Sequence, residues 1–167
     1  MKRFRSIVCL LCMLFVLVAC ESETEKPAVN MTPAPEDTPL PTPELETITV
    51  FTIDSAKMTT VPSRVKKIPG NDNVDYIVQL VLDNLEDSDI HISKAFMEGE
   101  NAVIVFKSKS KPLKNCSFEM ETLILDCFST SVLDNVEGCR GVIFRSDKGK
   151  YTSDNLTLDE DEIYASN

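Results

Sequence analysis

Six prolines between Pro27 and Pro43, alternating with Thr, Glu and Ala, decide where this chain can fold. From Glu21 to Glu46 bulky apolar side chains occur only singly, so the segment cannot bury enough surface to offset its ordering entropy. Its prolines favour extended polyproline II, and at about 3.1 Å per residue its 26 residues reach roughly 80 Å. Any core must therefore come from residues 47–167, a length suited to one domain rather than two. Those residues carry 13 Lys and Arg against 20 Asp and Glu, a net −7, which argues for solubility and against nucleic acid as a partner.

Hydrophobic periodicity divides the remainder into strands and two helices. Thr47–Ile53 is β-rich, with Ile48, Val50 and Thr52 on one face and Phe51 and Ile53 on the other. A short strand is expected around Val61–Val65, interrupted by Pro62. Gly70-Asn71-Asp72-Asn73 offers N-cap candidates for a helix running to about Leu85, in which Val74, Ile77, Val78, Val81 and Leu85 form one apolar stripe. Ile90–Met97 and Ala102–Lys107 read as a hairpin about Gly99-Glu100, with Ile90, Ile92 and Phe96 alternating on the first strand. A second helix starts after Ser117, its stripe made of Met120, Leu123, Ile124, Cys127, Phe128 and Ser131, with Glu119 and Glu121 in its first turn. A strand Val142–Arg145, a turn at Ser146–Gly149 and an edge strand Lys150–Ser153 follow, and the acidic run Asp159–Glu162 is expected to fray. This order implies an α/β (α+β) fold, a small mixed sheet with two helices packed on one face.

The N-terminus carries an address. Lys2, Arg3 and Arg5 precede a twelve-residue apolar run, Ile7–Val18, which is too short to span a bilayer comfortably and has the flanks of a secretory signal. Its end, Leu17-Val18-Ala19-Cys20, resembles the lipobox of bacterial lipoproteins, in which the cysteine receives a diacylglyceryl group. The alternative is an uncleaved N-terminal anchor. With lipidation at Cys20, the chain divides into a signal peptide (1–19), a lipidated cysteine and linker (20–46), a folded domain (47–158) and an acidic tail (159–167). The partner so implied is the membrane, reached through the lipid.

No catalytic constellation is visible. Of the six cysteines, Cys9 and Cys12 leave with the signal and Cys20 takes the lipid. Cys116, Cys127 and Cys139 have no zinc spacing. Cys127 lies on a helical apolar stripe, while Cys116 and Cys139 flank a helix of about eighteen residues, which at about 1.5 Å each holds them roughly 27 Å apart unless a loop folds back. Three free thiols and one disulfide both stay open. The single histidine, His91, alternates with Ile90 and Ile92 and is expected to point away from them. There is no phosphate-binding glycine loop and no Gly-x-Ser-x-Gly elbow, and Asp83, Glu86, Asp87 and Asp89 lack an EF-hand register, so neither cofactor nor metal is expected. One patch opposes the overall charge: Lys107, Lys109, Lys111 and Lys114 form a candidate contact for anionic lipids or wall polymers, or else an ordinary exposed loop.

Three stretches are similar to the GerMN domain of spore germination and sporulation proteins in Gram-positive bacteria. Ile48-Thr49-Val50-Phe51 resembles its first strand, and Val61–Val65, with Arg64, its second segment. Val103-Ile104-Val105-Phe106, after Glu98-Gly99-Glu100-Asn101, resembles the hairpin that follows its first helix. Glu121–Leu133, Val142-Ile143-Phe144 and Asp147-Lys148-Gly149 resemble its last helix, strand and turn. After the first helix the family usually has a Gly-Pro pair, where this chain has Glu86-Asp87. The resemblance implies a fold like the small ring-building modules of sporulation and secretion complexes, no catalytic residues, and a role in sporulation or germination. The function so expected is a non-catalytic protein-interaction or assembly module on the extracytoplasmic face of the cell membrane, partnered by an envelope protein or by its own kind. The alternatives are a lipoprotein binding cell-wall glycans or a small solute, and a small envelope hydrolase.

Overall fold

The computed structural model describes residues 45–85, 87 and 89–167. Cys20 and the Pro-rich segment up to residue 44 lie outside the described residues. Strands β1 (Glu46–Asp54) and β2 (Thr59–Lys67) pair antiparallel from Glu46↔Lys67 to Asp54↔Thr59. The turn between them is held by Asp54, whose Oδ1 accepts from the backbone of Ala56 and Lys57 at 3.1 Å each. Helix α1 (Val74–Asn84) is capped by Asn73, whose side chain accepts from Tyr76 N at 2.8 Å. β3 (Ile92–Glu98) and β4 (Asn101–Phe106) form the hairpin, and Gly99 takes φ +63°, a conformation only glycine adopts without strain. Helix α2 (Phe118–Asn135) is capped by Ser117 and leads to β5 (Gly141–Ser146), which runs parallel to β4. β6 (Gly149–Lys150) and β7 (Ile163–Ser166) both pair antiparallel with β5.

The described residues thus form an α+β fold: two helices, a mixed five-stranded sheet and a separate two-stranded ribbon. One core joins all three, from Val50 on the ribbon through Ile77, Val81, Ile124 and Phe128 to Ala102, Ile104, Phe106, Val142 and Phe144 on the sheet.

The sequence-based reading needs five corrections. The ribbon does not join the main sheet; it packs on the helices, with Phe51 N donating to Ser131 Oγ (2.8 Å) and Asn135 Nδ2 to Thr49 O (2.8 Å). That second partner widens the buried face of α2. Glu121, Ile124, Leu125, Cys127, Phe128, Ser129, Ser131 and Val132 are all buried, an arc of roughly 200° at 3.6 residues per turn, more than one sheet face can cover. β2 runs through Pro62, which pairs with Phe51 in a two-stranded ribbon where one edge needs no donor.

The hairpin alternation also slips. Ile92 opposes Phe106, but Lys94 opposes Val105, so Ser93 is bulged out and the face changes. Ala95, not Phe96, then faces the helices. Phe96 packs instead with Val103, Val105 and Ile143 on the outer face of the sheet. Finally, the chain end is not a frayed acidic tail. Residues 159–162 form a turn, closed by Asp159 N donating to Glu162 Oε2 (2.9 Å), which feeds β7 onto β5. Of the expected edge strand Lys150–Ser153 only Lys150 pairs with β5, because Tyr151 turns inward and is fully buried.

Candidate functional site

The four lysines lie on the loop from β4 to α2, and that loop is a braced structure. Asp147 N donates to Phe106 O (2.9 Å), and Ser108 N donates to Asp147 Oδ1 (3.1 Å). Ser110 Oγ donates to Lys107 O (2.8 Å), while Leu113 plugs the core at 1% exposure. The lysines divide into two pairs. Lys111 Nζ lies 2.8 Å from Asp87 Oδ2, and Lys114 pairs with Asp154. The hydrogen bond to Asp87 holds the Lys111 ammonium above the usual lysine range. Lys107 and Lys109 are exposed and make no ion pair among the described residues. Two of the four charges are therefore paired locally, and Lys107 and Lys109 are the two without an ion pair among the described residues. A cleft of about 190 Å³ opens between Lys109, Lys111, Lys114, Asp89 and the exposed His91.

Behind this loop lies a group that the sequence reading placed only in the first turn of the second helix. Glu121, in the first turn of α2, is fully buried. Tyr151 Oη donates to its Oε1 at 2.6 Å and Asn155 Nδ2 to its Oε2 at 2.8 Å. Asn155 Nδ2 also donates to Cys116 O (2.9 Å). Burial, and then the bond to Glu121, push the Tyr151 phenol well above the ordinary tyrosine range. The network ties loop 151–156 to the start of α2, and Lys114–Asp154 extends the tie to the lysine loop. No periodic signal marks Glu121, since a carboxylate at this position of a helix ordinarily faces water and stabilises the positive end of the dipole.

The remaining candidates have structural surroundings. The three described cysteines are free thiols. Burial pushes the Cys127 thiol up to about 12, and burial followed by the Glu121 charge raises that of Cys116. Both shifts run opposite to what a nucleophilic thiolate needs. Cys139 Sγ donates to Gly141 O at 3.4 Å. Among the described residues no cluster of His, Cys, Asp and Glu could hold a metal ion, and no helix is long and apolar enough to cross a membrane. An open groove of about 600 Å³ between the end of α1 and the start of β3 is lined by Gln79, Leu82, Asp83, Ile90, His91, Ile92 and Lys107 among others, with no Tyr or Phe. Each tyrosine hydroxyl is engaged internally: Tyr76 with Ile68 N, Tyr151 with Glu121, and Tyr164 with Asp126.

What the fold and this region define is a small α+β domain with a braced basic loop over a buried polar network. Comparison with protein-family models, curated proteins and solved structures finds no match.

Proposed function

We propose that this chain is a lipid-anchored, extracytoplasmic, non-catalytic module of the cell envelope, with a GerMN-like domain that assembles with an envelope protein or with its own kind. The observation that carries the reading is Leu17-Val18-Ala19-Cys20 behind a basic start and an apolar run, and ahead of a Pro-rich spacer. Two or more acyl chains, at about 0.8 kcal/mol per buried methylene, make such an attachment stable. The spacer then holds the domain clear of the bilayer, where a protein partner can reach it. The GerMN resemblance points to sporulation or germination as the setting, and rests on the strand, hairpin and last-helix segments quoted above.

Mass spectrometry of the mature protein tests the anchor. A diacylglyceryl-modified Cys20 at the new N-terminus is the expected result, and Cys20→Ala is expected to release the chain from membranes. A mature protein that retains residues 1–19, or carries no acyl chain, overturns the reading. A pull-down of the acylated protein from its own membranes that recovers neither a specific partner nor a second copy of the chain would remove the assembly role.

The lysine loop contributes a smaller prediction. Lys107→Ala with Lys109→Ala is expected to weaken binding to anionic vesicles roughly thirtyfold at low salt, since each lysine near such a surface contributes about 1 kcal/mol. The difference should fade as salt screens it. Lys111→Ala with Lys114→Ala should change binding less, because those charges already face Asp87 and Asp154.

A further inference from the structure

The outer edge of β3 is unpartnered among the described residues, since β3 ends the order β3-β4-β5-β6 of the main sheet. The two-residue turn at Gly99-Glu100 makes Glu98↔Asn101 a hydrogen-bonded pair, and Phe96↔Val103 and Lys94↔Val105 follow by alternation. Ala95 and Met97 are left with their N–H and C=O groups directed outward. Met97 is also 37% exposed, which is unusual for a large apolar side chain on a sheet.

Side chains along this edge have a pattern. Lys94, Phe96 and Glu98 share the outer face of the sheet, positive, aromatic and negative in turn. Lys94 lies over the Phe96 ring, 4.9 Å from its centroid, and makes no ion pair among the described residues. Glu98, its side chain 54% exposed, is 2.7 Å from Arg145 Nη1.

A lysine on an edge strand normally discourages pairing with another chain. Here the order of charges makes one partner an exception. If a second copy of β3 lies antiparallel about a two-fold axis at Phe96, each Lys94 opposes Glu98 of the other copy and the two Phe96 rings are neighbours. In the same register Ala95 opposes Met97 of the other copy. Those are the residues whose backbone groups point outward, so every bond of the new ladder finds its complement. Registers centred on Lys94 or Glu98 set like charges opposite each other, and those centred on Ala95 or Met97 run the ladder into the Ser93 bulge or the Gly99 turn.

We infer that the β3 edge is a self-recognition surface, on which two copies of this chain join their five-stranded sheets by antiparallel pairing about Phe96. The inference gives the assembly proposed above a particular partner, a second copy, while the geometry itself holds whether or not Cys20 carries lipid. A ladder of five residues is small beside the roughly 1,200–2,000 Å² of stable interfaces, so the dimer is weak in solution and concentration-dependent. Tethering two copies to one surface raises their effective concentration and favours pairing.

Charge exchange tests it. Sedimentation of the full chain in detergent over a wide concentration range should show a monomer–dimer equilibrium. Lys94→Glu and Glu98→Lys, each alone, place like charges across both ends of the ladder and should weaken the dimer about tenfold or more. A one-to-one mixture of the two variants restores both opposite-charge pairs and should recover the dimer, which also shows that each variant folds. Under mild oxidation, Phe96→Cys should form a disulfide-linked dimer well above the unmodified chain, and Glu98→Cys should not. A chain monomeric at every concentration, single variants that dimerise like the parent, a mixture no tighter than its components, or no cross-link through Phe96→Cys would each overturn the inference. A monomeric chain that still retrieves a different envelope protein leaves the assembly reading standing without this surface. An unacylated chain that still dimerises does the reverse.

Discussion

Removing residues 159–167 is expected to destabilise the folded domain by roughly 3 kcal/mol, read by denaturant or thermal unfolding of the otherwise full chain. The loss has three sources. β7 covers the edge of β5, pairing Gly141↔Ser166, Val142↔Ala165 and Ile143↔Ile163. Tyr164 sets its ring edge-on to Phe144, with centroids 5.1 Å apart, and donates its hydroxyl to Asp126 Oδ1 at 2.9 Å. Arg145, on the outer face of the sheet, donates Nε to Glu160 O (2.7 Å) and pairs with Asp161 at 3.0 Å. A solvated acidic tail would change stability by no more than about 0.5 kcal/mol when cut, so an unchanged unfolding midpoint would show that the strand contributes nothing. The truncated chain should also aggregate more readily, since a bare β5 offers unpaired backbone groups.

That segment shows why some of the fold was legible in the sequence and some was not. The helices were readable because their signals are local. Val74, Ile77, Val78, Val81 and Leu85 repeat at helical spacing, and Asn73 and Ser117 sit where an N-cap belongs. The Gly99 turn is local in the same way. The bulge at Ser93 is not, since nothing in Ile92-Ser93-Lys94 announces it. It arises where Lys107 N donates to His91 O (2.9 Å) beyond the end of the ladder, a closure made by residues sixteen apart. In the tail, the charges of Asp159–Glu162 mask Ile163 and Tyr164, whose partners Gly141, Phe144 and Asp126 lie far back along the chain. The lysine loop divided for the same reason: of four similar residues in sequence, distant Asp87 and Asp154 pair two, and the other two have no ion pair among the described residues.

Glu121 is the sharpest case of this non-local control, and it leads to the second large effect. Tyr151→Phe is expected to cost about 2–3 kcal/mol, because the fully buried carboxylate would lose its 2.6 Å donor and keep only Asn155. For a domain of this size the midpoint of thermal unfolding should fall by roughly 10 °C. Glu121→Leu should cost a similar amount by a different route, leaving the Tyr151 hydroxyl buried without an acceptor. The double variant removes both halves of the bond and leaves packed apolar atoms in their place. Its loss should be smaller than the sum of the single losses by about 1–2 kcal/mol, the signature of a direct pair. Strictly additive losses would mean that Tyr151 and Glu121 act independently, with no energetic coupling through the bond between them. The bond joins loop 151–156 to the start of α2, and Lys114–Asp154 carries that tie to the basic loop. Tyr151→Phe should therefore also speed hydrogen exchange at Asn115 N, which donates to Asp154 Oδ2, while leaving the amides of α1 protected.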